Sequence, residues 1–223
     1  MTHTTPAAVL WDMDGTLIDT EPYWMLAQAE LVDAWGGEWS HEDALSLVGS
    51  GLWNSARAIQ SRGVHLTEDE IVDHLTDRVL EQLSQFGAPW RPGAIALLQE
   101  VRDAGIPTAL VTMSVRRMAE HIVSQLGFFG FDLIVSGEDV EHPKPHPAPY
   151  LQAASQLGVD IVHCVAVEDS VPGVASAVAS GAATIAVPFM VELPKSDSHA
   201  VWPSLEGRGL SDLTAELTRV KTA

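Results

Sequence analysis

Beyond residue 88 the chain alternates short apolar runs with helical stretches, and this alternation restricts its fold more than any other feature. Helical patterns end at Gly105, Gly127 and Gly158, which is a typical stop signal. Between and after them lie the strand-like runs PTALVTM, FDLIVSG, IVHCVAVED and AATIAVP, the last of which we expect to be the final strand. Strands that alternate with helices predict an α/β fold with a doubly wound parallel sheet, and the early run AVLWDMD supplies a further strand.

Residues 20–88 have a different pattern, which is helical throughout. Thr67 and Glu70 form a capping-box pair ahead of one long helical run, and we expect Trp35 to lie in a helix core. We therefore predict two domains: residues 1–19 and 89–223 form the α/β core, and residues 20–88 form a helical cap inserted after the first strand. Residues 188–210 have no regular pattern and are expected to form an irregular loop.

Composition excludes several classes of partner. The formal net charge is −18, which disfavours nucleic acid and anionic membranes as partners. No segment approaches the ~18 consecutive apolar residues of a membrane span. The start of the sequence has no leader pattern, so we expect a cytoplasmic protein. Cys164, the single cysteine, lies in an apolar run and is expected to be buried. The oligomeric state cannot be predicted from these features, and a monomer is compatible with them.

Acidic side chains follow two of the predicted strands. Asp12 and Asp14 end the first strand, and Glu168 and Asp169 end the run IVHCVAVED. Because the carboxyl ends of parallel strands meet at one edge of a sheet, the four carboxylates should lie close together. Like charges at that separation repel one another unless a cation lies between them, and hard oxygen ligands suit Mg²⁺. We therefore predict a Mg²⁺ site.

Phosphate-binding groups follow the other strands. Thr112 supplies a hydroxyl, Met113 and Ser114 supply backbone amides, and Lys144, between two prolines, supplies an ammonium group. Such groups bind phosphoryl oxygens. With a metal ion and a free carboxylate beside them, they predict a phosphoryl-transfer site for a small phosphorylated metabolite.

The motifs DMDGTLIDTE, VTMS, KPHPAPY and VEDSVPGVASAVASG, in this order, resemble the haloacid dehalogenase superfamily of phosphohydrolases. The chain is similar to the β-phosphoglucomutase-like branch, which has a Rossmann-like core and a helical cap. The resemblance implies that Asp12 attacks phosphorus and becomes an aspartyl phosphate. It implies that Asp14 is the general acid and base and lends its backbone carbonyl to Mg²⁺. Asp169 and Glu168 would complete the metal site.

The same resemblance implies that Thr112 and Lys144 hold the phosphoryl group, assisted by Ser114. Gly15 would permit a tight turn and donate an amide. Asp19 and Glu21 would organise the turn into the cap.

The cap departs from the pattern of the sugar-phosphate mutases in this branch. Trp24 stands where those proteins have a histidine, and the position near Leu52 lacks their arginine, although Arg57 follows one turn later. Trp24 and Trp53 are candidates for packing on an organic substrate. We therefore expect a Mg²⁺-dependent phosphatase for a small, sugar-like phosphate monoester. A phosphosugar mutase and a non-catalytic protein that binds phosphorylated metabolites are the alternatives.

Overall fold

The computed structural model describes residues 5–193, 196 and 198–222. Its centre is a parallel sheet of six strands in the order β3-β2-β1-β4-β5-β6. The strands are β1 (Ala8–Trp11), β2 (Thr108–Val111), β3 (Leu133–Val135), β4 (Cys164–Glu168), β5 (Ala183–Ala186) and β6 (Ala200–Val201). The doubly wound α/β fold predicted from the alternating pattern is thereby confirmed.

β1 lies in the middle of the sheet and is buried on both faces. Leu10 pairs with Ala109 of β2 on one side and with Ala166 of β4 on the other. Successive side chains of a strand point to opposite faces. Accordingly Val9 and Trp11 belong to one apolar cluster, whereas Leu10 belongs to a second cluster across the sheet. A strand that is buried on both faces has to be apolar throughout, and this is why AVLW contains no polar residue.

Helices cover the two faces. They are α5 (Ala94–Asp103), α6 (Arg116–Ser124), α7 (Ala148–Gln156), α8 (Val171–Ser180) and α9 (Leu210–Thr222). Buried side chains of α5, α6 and α9 pack in the cluster of Val9, and those of α7 and α8 pack in the cluster of Leu10. Cys164 is a buried free thiol at the start of β4, as predicted.

Three sequence predictions about the core were wrong. The run IVHCVAVED is not one strand, because its first part, Ile161–His163, is a 3₁₀ turn. Asp160 caps this turn, since its side chain accepts a hydrogen bond from the amide of Val162. The run AATIAVP is not the final strand, and residues 188–210 are not wholly irregular, because Ala200–Val201 pairs with β5 as an edge strand. Two residues are too few to produce a periodic signal.

Four helices lie between β1 and α5. They are α1 (Glu21–Ala34), α2 (His41–Leu45), α3 (Leu52–Gln60) and α4 (Glu68–Phe86), and we call them the inserted helices. The capping box of Thr67 and Glu70 is present at the start of α4. The prediction that Trp35 lies in a helix core was wrong. Trp35 follows the end of α1, 42% of its surface is exposed, and its ring rests edge-on against that of His65.

Within the described residues, no helix combines the length and the apolar character that crossing a membrane requires.

Candidate active site

The acidic residues meet where the strand order changes direction. From β1 the chain adds β2 and β3 on one side, and later adds β4, β5 and β6 on the other. In open parallel sheets the cleft at such a point, outside the carboxyl ends of the strands, is where ligands bind. Asp12 directly follows β1, and its amide donates to the carbonyl of Val167 in β4 (3.0 Å), so Asp12 lies beside Glu168 and Asp169.

Asp12, Glu168 and Asp169 form a buried carboxylate cluster. One oxygen of each lies within 4.8 Å of the others. Burial and then the charge of Glu168 raise the pKa of Asp12 to about 7, although Lys144 opposes the shift. Burial and then the charges of Asp12 and Glu168 raise the pKa of Asp169 well above its ordinary value. The positive charge near Asp12 and Asp169 is therefore too small to keep both carboxyl groups fully ionised.

The cluster fits a metal ion. Within the described part of the chain, Oδ2 of Asp169 is buried and has no hydrogen-bond partner, which is costly unless a ligand satisfies it. Three carboxylates and the single ammonium of Lys144 leave an excess of about two negative charges, which a divalent cation would offset. The donor atoms are all oxygens, as hard cations prefer.

Lys144 connects the ends of three strands of the sheet. Its Nζ donates to Oδ1 of Asp12 (2.6 Å) and to the carbonyl of Val111 (2.9 Å), and it pairs with Oε1 of Glu168 (2.6 Å). Burial lowers the pKa of Lys144, but the charges of Asp12 and Glu168 outweigh burial and leave that pKa raised. Lys144 is therefore a permanent cation at the ends of β1 and β4.

Tyr150 is a site residue that sequence reasoning missed. It lies on α7, is fully buried, and donates its hydroxyl to Oε1 of Glu168 (2.6 Å). Glu168 thus receives hydrogen bonds from Tyr150 and Lys144 on the same oxygen. The motif KPHPAPY contains this tyrosine, but nothing in the motif indicates where its hydroxyl points.

Asp14 has different surroundings from Asp12. Its carboxylate accepts hydrogen bonds from the Thr20 hydroxyl, Trp24 Nε1 (3.0 Å) and the hydroxyls of Ser114 (2.7 Å) and Thr112 (3.4 Å). The side chain of Asp14 is therefore directed towards the start of α1 and the end of β2, whereas Asp12 is directed towards Lys144. Two carboxylates separated by one residue have become two chemically distinct groups.

The backbone turn after Asp14 needs a glycine. Gly15 has φ of +84°, which side chains other than glycine rarely adopt, and a Cβ there would lie 2.1 Å from Oδ2 of Asp169. The chain thereby passes close to the carboxylate cluster without filling it.

One pocket joins these groups to the inserted helices. Asp12, Asp14, Thr112, Met113, Ser114 and Lys144 line it, and so does Trp24. The structure therefore brings these seven predicted site residues together, whereas Gly15 and Trp53 do not line this pocket. Glu168 and Asp169 lie behind Asp12, in the carboxylate cluster.

Trp53 lies elsewhere. Its Nε1 donates to Asp69 (2.8 Å), and its ring lines a neighbouring cavity together with Arg57. Met113 borders both cavities. A contact between Trp53 and a substrate stays a prediction.

The pocket also contains polar residues that the sequence did not single out as binding groups. Glu21 and Gln28 of α1 and Ser55 of α3 are buried and line it. Burial, and then the charges of Asp14, Asp12 and Asp19, raise the pKa of Glu21 to about 8. The sequence signal that could have identified Glu21 and Gln28 was their spacing. They lie three residues before and four residues after Trp24, and residues at these spacings share one face of a helix.

The fold and the site together define an α/β protein with a buried, metal-compatible carboxylate cluster beneath a pocket that inserted helices help to line. The family model described as haloacid dehalogenase-like hydrolase matches residues 6–181, and the chain belongs to that family. The family predicted from the motifs is confirmed.

Individual relatives agree with this assignment. Hexitol phosphatase B of Escherichia coli O157:H7 is 29% identical over 217 residues, covering 94% of this chain and 95% of its own length. Fructose-1-phosphate phosphatase YqaB of Escherichia coli K12 is 31% identical over 183 residues, covering 78% and 93%. The crystal structure of a CbbY mutant from Rhodobacter sphaeroides in complex with xylulose-(1,5)bisphosphate has a TM-score of 0.84 at 28% identity, covering 93% and 99%.

Proposed function

We propose that this protein is a Mg²⁺-dependent phosphatase that hydrolyses a small, sugar-like phosphate monoester through an aspartyl-phosphate intermediate. The observation that carries the proposal is the position of Asp12, which lies in the pocket, accepts from Lys144 and belongs to the carboxylate cluster. The names of the relatives, a hexitol phosphatase and a fructose-1-phosphate phosphatase, support the substrate class.

Asp12, Glu168 and Asp169 are the residues that would hold Mg²⁺, with the backbone carbonyl of Asp14 as the further ligand that the family resemblance implies. The ion would neutralise charge on the phosphoryl oxygens and so lower the repulsion between an anionic substrate and an anionic nucleophile. Substrate binding, nucleophilic attack and proton transfer depend on the protein's own residues.

Asp12 is the proposed nucleophile. Lys144 donates to one of its oxygens and holds positive charge beside it, which favours the ionised form that attack requires. The hydroxyls of Thr112 and Ser114, which line the pocket at the end of β2, and the amide of Met113 would bind the oxygens of the phosphoryl group. An oxygen of Asp12 forms the new bond to phosphorus as the bond to the leaving oxygen breaks.

Asp14 is the proposed general acid and base. It would protonate the leaving oxygen and then take a proton from the water that cleaves the aspartyl phosphate. Thr20, Trp24 and Ser114 orient its carboxylate, and two of these lie at the entry to α1. We also propose that residues 20–88 act as a cap domain on a core of residues 1–19 and 89–223.

A mutase is the weaker candidate. It must retain a bisphosphate intermediate, and a second phosphate requires cationic partners. Among the residues that the structure describes, Lys144 is the one basic side chain that lines the pocket, and it pairs with Asp12 and Glu168. Arg57 pairs with Glu68 beside the neighbouring cavity. Hydrolysis needs no second anion site.

The proposal is tested by phosphate release from a panel of phosphate monoesters. Release should require Mg²⁺ and stop with chelator. Asp12→Asn should abolish turnover, because an amide is a poor nucleophile. Asp14→Asn should reduce kcat by about 10²- to 10⁴-fold while retaining substrate binding. Asp33→Asn, an exposed position on α1, is the matched control and should behave as the wild type.

Full activity in Asp12→Asn would contradict the mechanism. A wild-type protein that binds the esters with Mg²⁺ but releases no phosphate would instead support the non-catalytic alternative. Interconversion of hexose phosphates that requires a bisphosphate would support the mutase.

A further inference from the structure

One face of α1 forms the wall of the pocket opposite the carboxylate cluster. Glu21, Trp24 and Gln28 follow one another on this face at helical spacing, and all three are buried and line the pocket. Ser55 of α3 is also buried and lines the pocket. The wall therefore carries several polar groups that the proposed chemistry at Asp12 and Asp14 does not use.

Gln28 has an unused acceptor. Its side chain is 7% exposed, and its Oε1 has no hydrogen-bond partner within the described residues. A buried amide oxygen without a partner costs free energy, and a ligand that donates to it recovers that cost. Trp24 differs, because its indole N–H already donates to Asp14.

The wall is acidic or neutral and has no cation. Glu21 is 8% exposed, and the charged groups that act on it are the carboxylates of Asp14, Asp12 and Asp19. Among the described residues, the pocket's one basic side chain is Lys144, which is already paired. A second anionic group on the substrate would be buried beside this wall without a cation to offset its charge.

The direction of the substrate follows from Asp14. The proposed acid must lie beside the leaving oxygen, and Thr20 and Trp24 hold its carboxylate at the start of α1. A phosphoryl group at Asp12 and Lys144 therefore directs the leaving group past Asp14 and onto the α1 face.

We propose that Glu21 and Gln28 select the leaving group, by accepting hydrogen bonds from the hydroxyls of a neutral polyol that carries a single phosphate. The inference rests on the proposed phosphatase function and specifies its substrate. An alcohol without hydroxyl groups leaves Oε1 of Gln28 unpaired, and a second phosphate finds no free cation among the described residues that line the pocket. Both effects discriminate against such esters at the transition state.

The experiment compares kcat/KM for four esters: sorbitol 6-phosphate, hexyl phosphate, fructose 1,6-bisphosphate and O-phosphoethanolamine. The wild type should favour sorbitol 6-phosphate over each of the others. Gln28→Leu, which keeps the volume and removes the acceptor, should lower kcat/KM for sorbitol 6-phosphate by about three- to tenfold. Its kcat/KM for hexyl phosphate should rise, because that ester leaves Oε1 of Gln28 unpaired in the wild type. Glu21→Leu, which removes both carboxyl oxygens, should likewise lower kcat/KM for sorbitol 6-phosphate relative to hexyl phosphate.

Gln85→Leu is the matched control, because Gln85 is an exposed glutamine on α4 away from this pocket. It should leave all four values unchanged. Circular dichroism and thermal unfolding verify that each variant folds, and Glu21→Leu provides an independent test if Gln28→Leu does not fold.

Three results would overturn the inference. The first is an equal loss on sorbitol 6-phosphate and hexyl phosphate in Gln28→Leu, which would indicate a structural role. The second is a wild-type preference for the bisphosphate. The third is a wild-type preference for O-phosphoethanolamine, which would make Glu21 the partner of an ammonium group. A wild type that releases phosphate without any preference rejects this inference alone, whereas one that hydrolyses none of the esters rejects the phosphatase function as well.

Discussion

At the scale of single residues, neighbouring carboxylates in this protein acquire different properties from their surroundings. Asp12 lies among buried acids and the Lys144 ammonium, and its pKa is raised to about 7 chiefly by burial. Asp14, two residues later, is surrounded by hydroxyl and indole donors. A sequence motif can identify such a pair, but it cannot specify which donors surround each member, because those donors come from distant parts of the chain.

Tyr150 provides a test of how the carboxylate cluster is held. Tyr150→Phe removes one hydroxyl from a buried hydrogen bond to Glu168 and should lower the free energy of unfolding by about 1–3 kcal/mol, because the acceptor is charged. It should also weaken Mg²⁺ binding by about 10- to 100-fold, since Glu168 loses a partner that orients it. Urea unfolding and a Mg²⁺ titration followed by tryptophan fluorescence measure the two effects.

Tyr23→Phe is the matched control for Tyr150→Phe. The hydroxyl of Tyr23 donates to the carbonyl of Gly87 at 3.3 Å in an exposed position. Its removal should leave Mg²⁺ binding unchanged. If the two variants bind Mg²⁺ with equal affinity, Tyr150 does not position Glu168.

The residues that could be predicted were those at strand ends. Asp12, Thr112 and Glu168 each follow or end an apolar run, and the geometry of a parallel sheet brings such ends to one edge. Gln28 could not be predicted in this way, because its place in the pocket depends on which face of α1 turns towards it. That choice is made by packing between helices.

At the scale of elements, helices that end at a glycine were predictable, whereas β6 and α9, which have no such stop signal, were not. α5, α6 and α7 were placed correctly by their apolar spacing and terminal glycines. β6 was missed because its two residues pair only at the edge of the sheet, where the backbone of β5 supplies the partner groups. α9 was also missed, although it packs Leu213 and Leu217 into the core.

The start of α4 shows that a local sequence signal can be sufficient for an element boundary. The Thr67 hydroxyl accepts from the amide of Glu70, and the Glu70 carboxylate accepts from the amide of Thr67. Thr67→Ala should lower the free energy of unfolding by about 1 kcal/mol, because an orphan amide loses its acceptor. Urea unfolding measures the change.

Ser84→Ala, at an exposed position within the same helix, is the control for Thr67→Ala. It should be neutral or slightly stabilising, since alanine has the higher helix propensity. Equal losses in the two variants would show that the α4 boundary does not depend on the capping box.

At the scale of the whole molecule, the acidic charge is only partly compensated. The chain has 30 acidic and 12 basic side chains. Arg117 of α6, which pairs with Asp73 and Asp77 of α4, is exposed, and such exposed pairs contribute little to stability. Repulsion among the remaining carboxylates should therefore exceed the attraction within these pairs.

Added NaCl should for this reason raise the midpoint of thermal unfolding. Screening shortens the reach of surface charges to about 8 Å at 0.15 M salt, which weakens a net repulsion more than it weakens close pairs. The measurement is a series of melting curves from 0.05 to 0.5 M NaCl, with chelator present throughout. A midpoint that falls with salt would show instead that the exposed ion pairs dominate.

The central place of β1 also affects how the protein is made. A ribosome adds about 5–20 residues per second, so about 150 residues and roughly 8 to 30 s separate β1 from β4, its later neighbour in the sheet. Throughout that interval the apolar run AVLW and Asp12 after it belong to a nascent chain that cannot complete its sheet. Apolar surface that waits for its partners in this way is open to aggregation until the sheet closes.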